Sequence, residues 1–181
     1  MNGGGMGNYE SDPLLTNVTF STNTAAFYGG GMYNGHSSSP SLINVTFSNN
    51  AAGLGNGIYV DRFSSVDIRN SIFWGNGIEI DAQSGGQINY SLIEGGCPTG
   101  ASCNNIITDD PLLDPLADNG GFTLTHALGE GSPAIDAGDP TNCPATDQRG
   151  YTRPIGAGCD IGAYEYGYTL TVLTEGSGSI L

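Results

Sequence analysis

Asn17-Val18-Thr19-Phe20-Ser21-Thr22-Asn23, Asn44-Val45-Thr46-Phe47-Ser48-Asn49-Asn50 and Asn70-Ser71-Ile72-Phe73-Trp74-Gly75-Asn76 are three versions of one segment, 27 and 26 residues apart. A glycine marker opening at Gly3, Gly29 and Gly55 recurs at intervals of 26 and 26. Recurrence at this period marks a solenoid. A coil of that length, extended almost throughout, runs about 86 Å at roughly 3.3 Å per residue, enough for one circuit of three short strands with their turns. The period therefore predicts an all-β chain folded as a parallel β-helix, one rung per repeat.

Each rung carries two apolar residues five positions apart: Leu15 and Phe20, Leu42 and Phe47, Ile68 and Phe73, Ile88 and Ile93. On a straight strand an odd spacing places the two on opposite faces, so both point inward only if the strand bends or bulges between them. A corner is expected there. Asn23, Asn50 and Asn76 fall at matching places just after the aromatic, as do Asn17, Asn44 and Asn70 before it, and Phe20, Phe47 and Phe73 within it. Residues that superpose in successive coils build ladders of bonded amides and stacked rings. A leucine-rich repeat would demand several leucines at fixed places in each turn, and helical repeats would show apolar recurrence at three and four; neither pattern is present.

The period divides the chain. Residues 1–95 are the repetitive part, about four rungs, opening in mid-repeat as in a fragment and tapering where Ser71 and Ile72 recur after only 20 residues as Ser91 and Leu92. Residues 96–166 are punctuated by Pro and Gly and read as irregular turns with short strands. Their expected role is a C-terminal cap over the last open rung, whose strand edges and core would otherwise be bare. Residues 167–181 open with the alternating Tyr168-Thr169-Leu170-Thr171-Val172-Leu173-Thr174, a terminal extra strand that starts a following module or is exchanged between copies.

Charge narrows the partners. Eighteen acidic residues face four arginines and no lysine, for a formal net charge of −14. Such a surface repels phosphate backbones and anionic lipid heads, which argues against nucleic acid and direct membrane binding and favours divalent cations. No segment has the length and hydropathy of a membrane-spanning helix or the layout of a signal peptide. Hydrophobic residues are 38% of the chain, a low fraction that narrow rungs packed with Gly, Asn, Ser and Thr can accommodate.

Four cysteines allow three pairings. Cys97 with Cys103 and Cys143 with Cys159 are the two local bridges, at spacings unlike the tight pairs of a zinc site. Disulfides point to an exported chain. Closing the second loop is worth roughly 3 kcal/mol in the chain-entropy model.

The closing block resembles the bacterial surface proteins that carry a choice-of-anchor Q domain, right-handed parallel β-helices of the pectate-lyase-like superfold. The resemblance rests on Asp110-Pro111-Leu112-Leu113, Leu116 to Gly121, Thr123 to Leu128, Gly131 to Gly138, and Asp147-Gln148-Arg149-Gly150 through Arg153-Pro154 to Cys159-Asp160-Ile161-Gly162-Ala163-Tyr164-Glu165. It covers about residues 71–166. The rungs are also similar, more generically, to those of polymorphic outer-membrane proteins and other β-helix adhesins. The resemblance implies an extracellular or cell-surface passenger followed by a variable anchor, and it transfers fold better than activity.

The residues bear on three functional classes. A lyase of this superfold would set a basic side chain beside Ca²⁺-binding carboxylates. Only Arg62 and Arg69 lie in the rungs, each beside an acid (Asp61, Asp67) in the manner of solvated surface pairs. A hydrolase would oppose two carboxylates across a groove, and Asp61, Asp67, Glu79 and Asp81 form no clustered pattern. The chain is therefore expected not to be an enzyme, and no catalytic residue is assigned; a carbohydrate-active enzyme or glycan-binding module is the alternative. His36 reads as a surface residue and His126 as structural. Asp109, Asp110, Asp114, Asp118 and Asn119 lie within ten positions and could wrap Ca²⁺, the one ion for which a site is suggested, although a solvated acidic loop is the simpler reading and no other cofactor is expected. The leading expectation is a structural or adhesive surface rod. Its partners would be a surface glycan or protein, or further copies of itself joined head to tail or by strand donation into a filament.

Overall fold

The computed structural model describes residues 2–167. Among them are ten strands: β1 (Met6–Tyr9), β2 (Leu14–Ser21), β3 (Met32–Gly35), β4 (Ser41–Ser48), β5 (Ile58–Val60), β6 (Asp67–Arg69), β7 (Ile72–Trp74), β8 (Ile80–Ala82), β9 (Gln87–Ile93) and β10 (Ser102–Ile107). A single 3₁₀ turn spans Pro140–Asn142. Strands pair in parallel throughout: β1, β3, β5 and β8 line up in one sheet, and β2, β4, β6, β9 and β10 in the other, with β7 bonded to both β4 and β9. The chain is all-β with parallel sheets, and each of the first three repeats supplies strand to both.

The registers reproduce the sequence period. Met6, Met32, Ile58 and Ile80 follow one another across the first sheet. In the second, Leu15, Leu42, Ile68, Ile88 and Cys103 form one column and Phe20, Phe47, Phe73 and Ile93 another. From Leu42 and Phe47 onward the hydrophobic members of these two columns are buried, and all three columns belong to one core. The bend expected between the two apolar residues sits at Asn17, Asn44, Asn70, Tyr90 and Asn105, all with φ between 48° and 57°. One left-handed residue swings the strand so that residues five apart face the same side. Asn tolerates that conformation better than most side chains because its short polar group bonds locally.

Polar side chains inside the stack are satisfied by superposition. Asn23 Nδ2 donates to Asn50 Oδ1 at 2.9 Å, and Asn50 Nδ2 to Asn76 Oδ1 at 2.9 Å. Asn50 and Asn76 also donate to Phe20 O and Phe47 O of the preceding repeat. Beside them Phe20, Phe47 and Phe73 stack with centroids 4.6 and 4.7 Å apart and planes 8° from parallel. The glycine run makes room for these rings: a Cβ on Gly31 would lie 2.6 Å from Phe47 Cδ1.

The amide ladder ends on a carboxyl group. Three residues beyond Ile93 stands Gly96, so no amide continues the column, and Glu79 accepts from the Asn76 backbone N at 3.0 Å and from its Nδ2 instead. Burial, with Glu94 alongside, pushes the Glu79 carboxyl up to about 7.

Two features depart from expectation. The parallel stack extends past residue 95, because β10 pairs with β9 from Ser102 to Ile107. The interval has shrunk to 15 residues between register partners, too short for the earlier motif to be visible, and the Cys97–Cys103 disulfide closes the tight connection. The later block is also no simple lid over the last strand. It lies along the outer face of the second sheet and reaches back to the first repeat, where Asn17 Nδ2 donates to Thr146 O at 2.6 Å. Asn44 Nδ2 reaches Asp160 O and Gly162 O at 2.8 and 3.0 Å, and Asn70 Oδ1 accepts from Asp139 N at 2.7 Å. These three asparagines are stacked as expected, yet their side chains serve mainly to dock the block. The outward column running Thr19, Thr46, Ile72, Leu92, Ile107 explains the placement. Its threonines bond Gln148 and Ala163, and Ile72 and Leu92 form a second core with Leu128, Ala134 and Ile161.

Inside the block, Arg153 and Glu165 form a fully buried ion pair at 2.6 Å. Glu165 also accepts from Ile155 N and Asp160 N, and Arg153 donates to Asp160 O and Gly162 O. These added bonds, which leave only Arg153 Nε of the pair without a partner, are what make a buried pair tolerable. The Cys143–Cys159 disulfide ties the same region together. The proposed extra strand at 168–174 lies outside the described residues.

Tyr90 is the one member of the left-handed column without an amide, so Tyr90→Asn should stabilise the fold by about 1 kcal/mol, read as a higher urea midpoint at unchanged slope. Glu79 supplies a pH signature. Its folded pKa lies above the ordinary carboxyl value, so its contribution is complete below the unfolded pKa and is lost as pH rises through about 7. Stability should fall by roughly 2–3 kcal/mol across that window. Glu79→Gln forfeits one of the two bonds to Asn76 but should remove most of that slope, measured as the urea midpoint against pH.

Candidate functional site

A concavity opens where the block stands off the second sheet. It is a groove of about 680 Å³, with Ser48, Asn49 and Trp74 on the sheet side and Asp110, Asp114 and His126 on the block side. Its size is that of a small-molecule site.

The sheet wall follows from the repeat. Ser21, Ser48 and Trp74 occupy one outward column, and Thr22, Asn49 and Gly75 follow at left-handed φ values of 57°, 55° and 74°. This second corner turns the chain away just past Trp74, leaving the indole half-buried at the sheet's margin. Asn49 Nδ2 donates to Ser48 Oγ at 2.9 Å. Trp74 is the only tryptophan of the chain, standing where the preceding repeats have serine.

The opposite wall is a short antiparallel contact. Leu113 bridges Leu128, Asp114 N donates to Ala127 O at 2.9 Å, and Gly129 N to Leu112 O at 2.8 Å. His126 joins the two walls. Its Nδ1 lies 2.8 Å from Asp114 O, and because a carbonyl only accepts, Nδ1 carries the proton. Nε2 lies 3.0 Å from Ser21 Oγ, within hydrogen-bond distance of that hydroxyl. The sequence expectation of a structural histidine fits this clamp. Asp110 Oδ1 accepts from Leu112 N at 2.8 Å and fixes the turn that opens this wall.

The groove is electrostatically one-sided. Asp110 and Asp114 are exposed on it. All four arginines are engaged elsewhere: Arg62 over the Phe63 ring, Arg69 with Asp67, Arg149 with Asp147, and Arg153 with Glu165.

Other candidates are dispersed. Asp118 caps Gly120 N in its own turn, and among the described residues no three His, Cys, Asp or Glu side chains meet as a set able to hold a metal ion. Glu79 faces Asn76 and Glu94, while Asp61 accepts from His36 N and Phe63 N, so the structure shows no bond linking Glu79 to Asp61. His36 is exposed beside the Tyr9 ring at 5.3 Å. On the first sheet Tyr33 and Tyr59 stack at 5.8 Å, with Tyr9 and Tyr28 tilted against them. Tyr9 and Tyr28 remain exposed at the margin of this group, whereas Tyr33 is buried. Burial, with Asp61 or Asp81 nearby, raises the Tyr33 and Tyr59 hydroxyls above their ordinary value.

Sequence reasoning missed Trp74 as a site residue. The signal available was its replacement of serine in the column. No protein-family model, curated protein or solved structure matches the chain.

Proposed function

We propose that the chain is a right-handed parallel β-helix of the choice-of-anchor Q kind, exported to the cell surface or beyond and serving as a non-catalytic, adhesive scaffold. One observation carries the reading: corresponding apolar residues of successive repeats occupy the same registers in both parallel sheets, as in Met6, Met32 and Ile58 or Phe20, Phe47 and Phe73. A chain wound in that way is stiff along its stacking direction and repeats its surface at each step, which suits many weak contacts acting together.

The two disulfides suit an oxidising, extracellular setting. The block bonded along the flank ties the first three repeats to one another through Asn17, Asn44 and Asn70, as a load-carrying rod requires. The acidity of the chain, −14 overall, favours neutral or cationic partners over anionic ones.

The test combines adhesion with chemistry. Beads coated with the oxidised chain should be retained on surfaces bearing immobilised glycans, and the soluble chain should release neither unsaturated uronides nor reducing ends from the same glycans. Product formation abolished by Arg62→Ala or Asp67→Ala would replace this reading with that of a carbohydrate-active enzyme.

A further inference from the structure

We infer that the groove at Trp74 binds an uncharged saccharide, one sugar ring lying on the indole and its hydroxyls bonding Asp114, Asp110 and Asn49. The inference rests on the adhesive reading above and names the ligand class for it.

Four observations converge. The groove holds about 680 Å³, within the range of pockets that take small ligands. It offers one large aromatic surface beside a few polar groups, the lining that suits a ring with an apolar face and a polar rim. On one side of the half-buried Trp74 its column holds only serine, Ser48 and then Ser21; on the other stands Glu94, whose carboxylate is engaged with Gly75 N at 2.8 Å. The His126 clamp holds the two walls together, with Ser21 on the sheet and Asp114 on the block.

The charges choose among sugars. Asp110 and Asp114 present exposed carboxylates, and each of the four arginines lies on a partner outside the groove. Carboxylates accept bonds from sugar hydroxyls and repel a uronate or sulfate. Neutral hexoses and N-acetylhexosamines are therefore accepted and acidic sugars refused.

Because Trp74 is the only tryptophan, intrinsic indole fluorescence reads this groove and nothing else. The oxidised chain is titrated in EDTA with cellotriose, chitotriose and trigalacturonate. A saturable emission change is expected with at least one neutral trisaccharide, and binding of trigalacturonate at least tenfold weaker. Trp74→Ser places at this position the residue its column already carries twice, so the fold should persist, checked by circular dichroism. Calorimetry should then show the neutral trisaccharide bound at least tenfold more weakly. Asp114→Asn should narrow the discrimination against trigalacturonate. Emission unmoved by either neutral sugar up to about 10 mM, an equal response to trigalacturonate, or unaltered calorimetric binding by Trp74→Ser would each overturn the inference. Bead adhesion that survives Trp74→Ser would overturn it while leaving the adhesive reading intact. Loss of adhesion in the wild-type chain would remove that reading instead.

Discussion

Superposition of like residues across parallel strands is the constraint from which the rest follows. A buried amide is costly unless both its donor and its acceptor are met. In the Asn23, Asn50, Asn76 column each is met by the same residue one repeat away. The arrangement lets a chain with 38% hydrophobic content keep polar groups in its interior, since the Asn23-to-Asn50 bonds of one repeat are made again from Asn50 to Asn76 in the next. Rings obey the same rule in the Phe20, Phe47, Phe73 stack. A ladder must end, and here it ends on the Glu79 carboxyl group, whose proton affinity is raised by burial with Glu94 alongside.

The outward face of the second sheet shows how one column can change purpose along its length. Its early members are threonines that bond a neighbouring chain segment, and its later members are Ile72, Leu92 and Ile107. The block that covers them carries its own polar core, in which Arg153, Glu165, Asp147 and Asp160 engage nearly every buried donor and acceptor around them. Asp160, raised to about 6 chiefly by burial, marks how dry that interior is. The groove at Trp74 is a by-product of this docking. The sheet turns away after Trp74, the block turns away after Leu113, and His126 spans the gap.

Much of this was legible in the chain itself. Near-equal intervals of 27 and 26 residues between Asn17, Asn44 and Asn70 required like residues to superpose, and apolar pairs five apart required a bend, because side-chain direction alternates strictly along a strand. The amide ladder, the phenylalanine stack and the narrowing of the repeat follow from spacing. Each is a consequence of local geometry repeated, which a linear sequence records directly, while the structure selects the two local disulfides from the three pairings the sequence allows.

Other features depend on contacts between residues far apart in the chain. The Asn17 amide meets Thr146 across 129 positions, and Ser21 meets His126 across 105. No period links such partners, so the flank-wise course of residues 111–166 and the groove it leaves could be decided only by how the tertiary structure buries Ile72 and Leu92. Strand β10 escaped notice for a related reason: parallel pairing is satisfied by backbone groups of any sequence, and a 15-residue interval carries too little of the motif to announce itself. The repeat determined the stacked sheets, whereas burial of one sheet's outer face determined where the irregular half of the molecule came to rest.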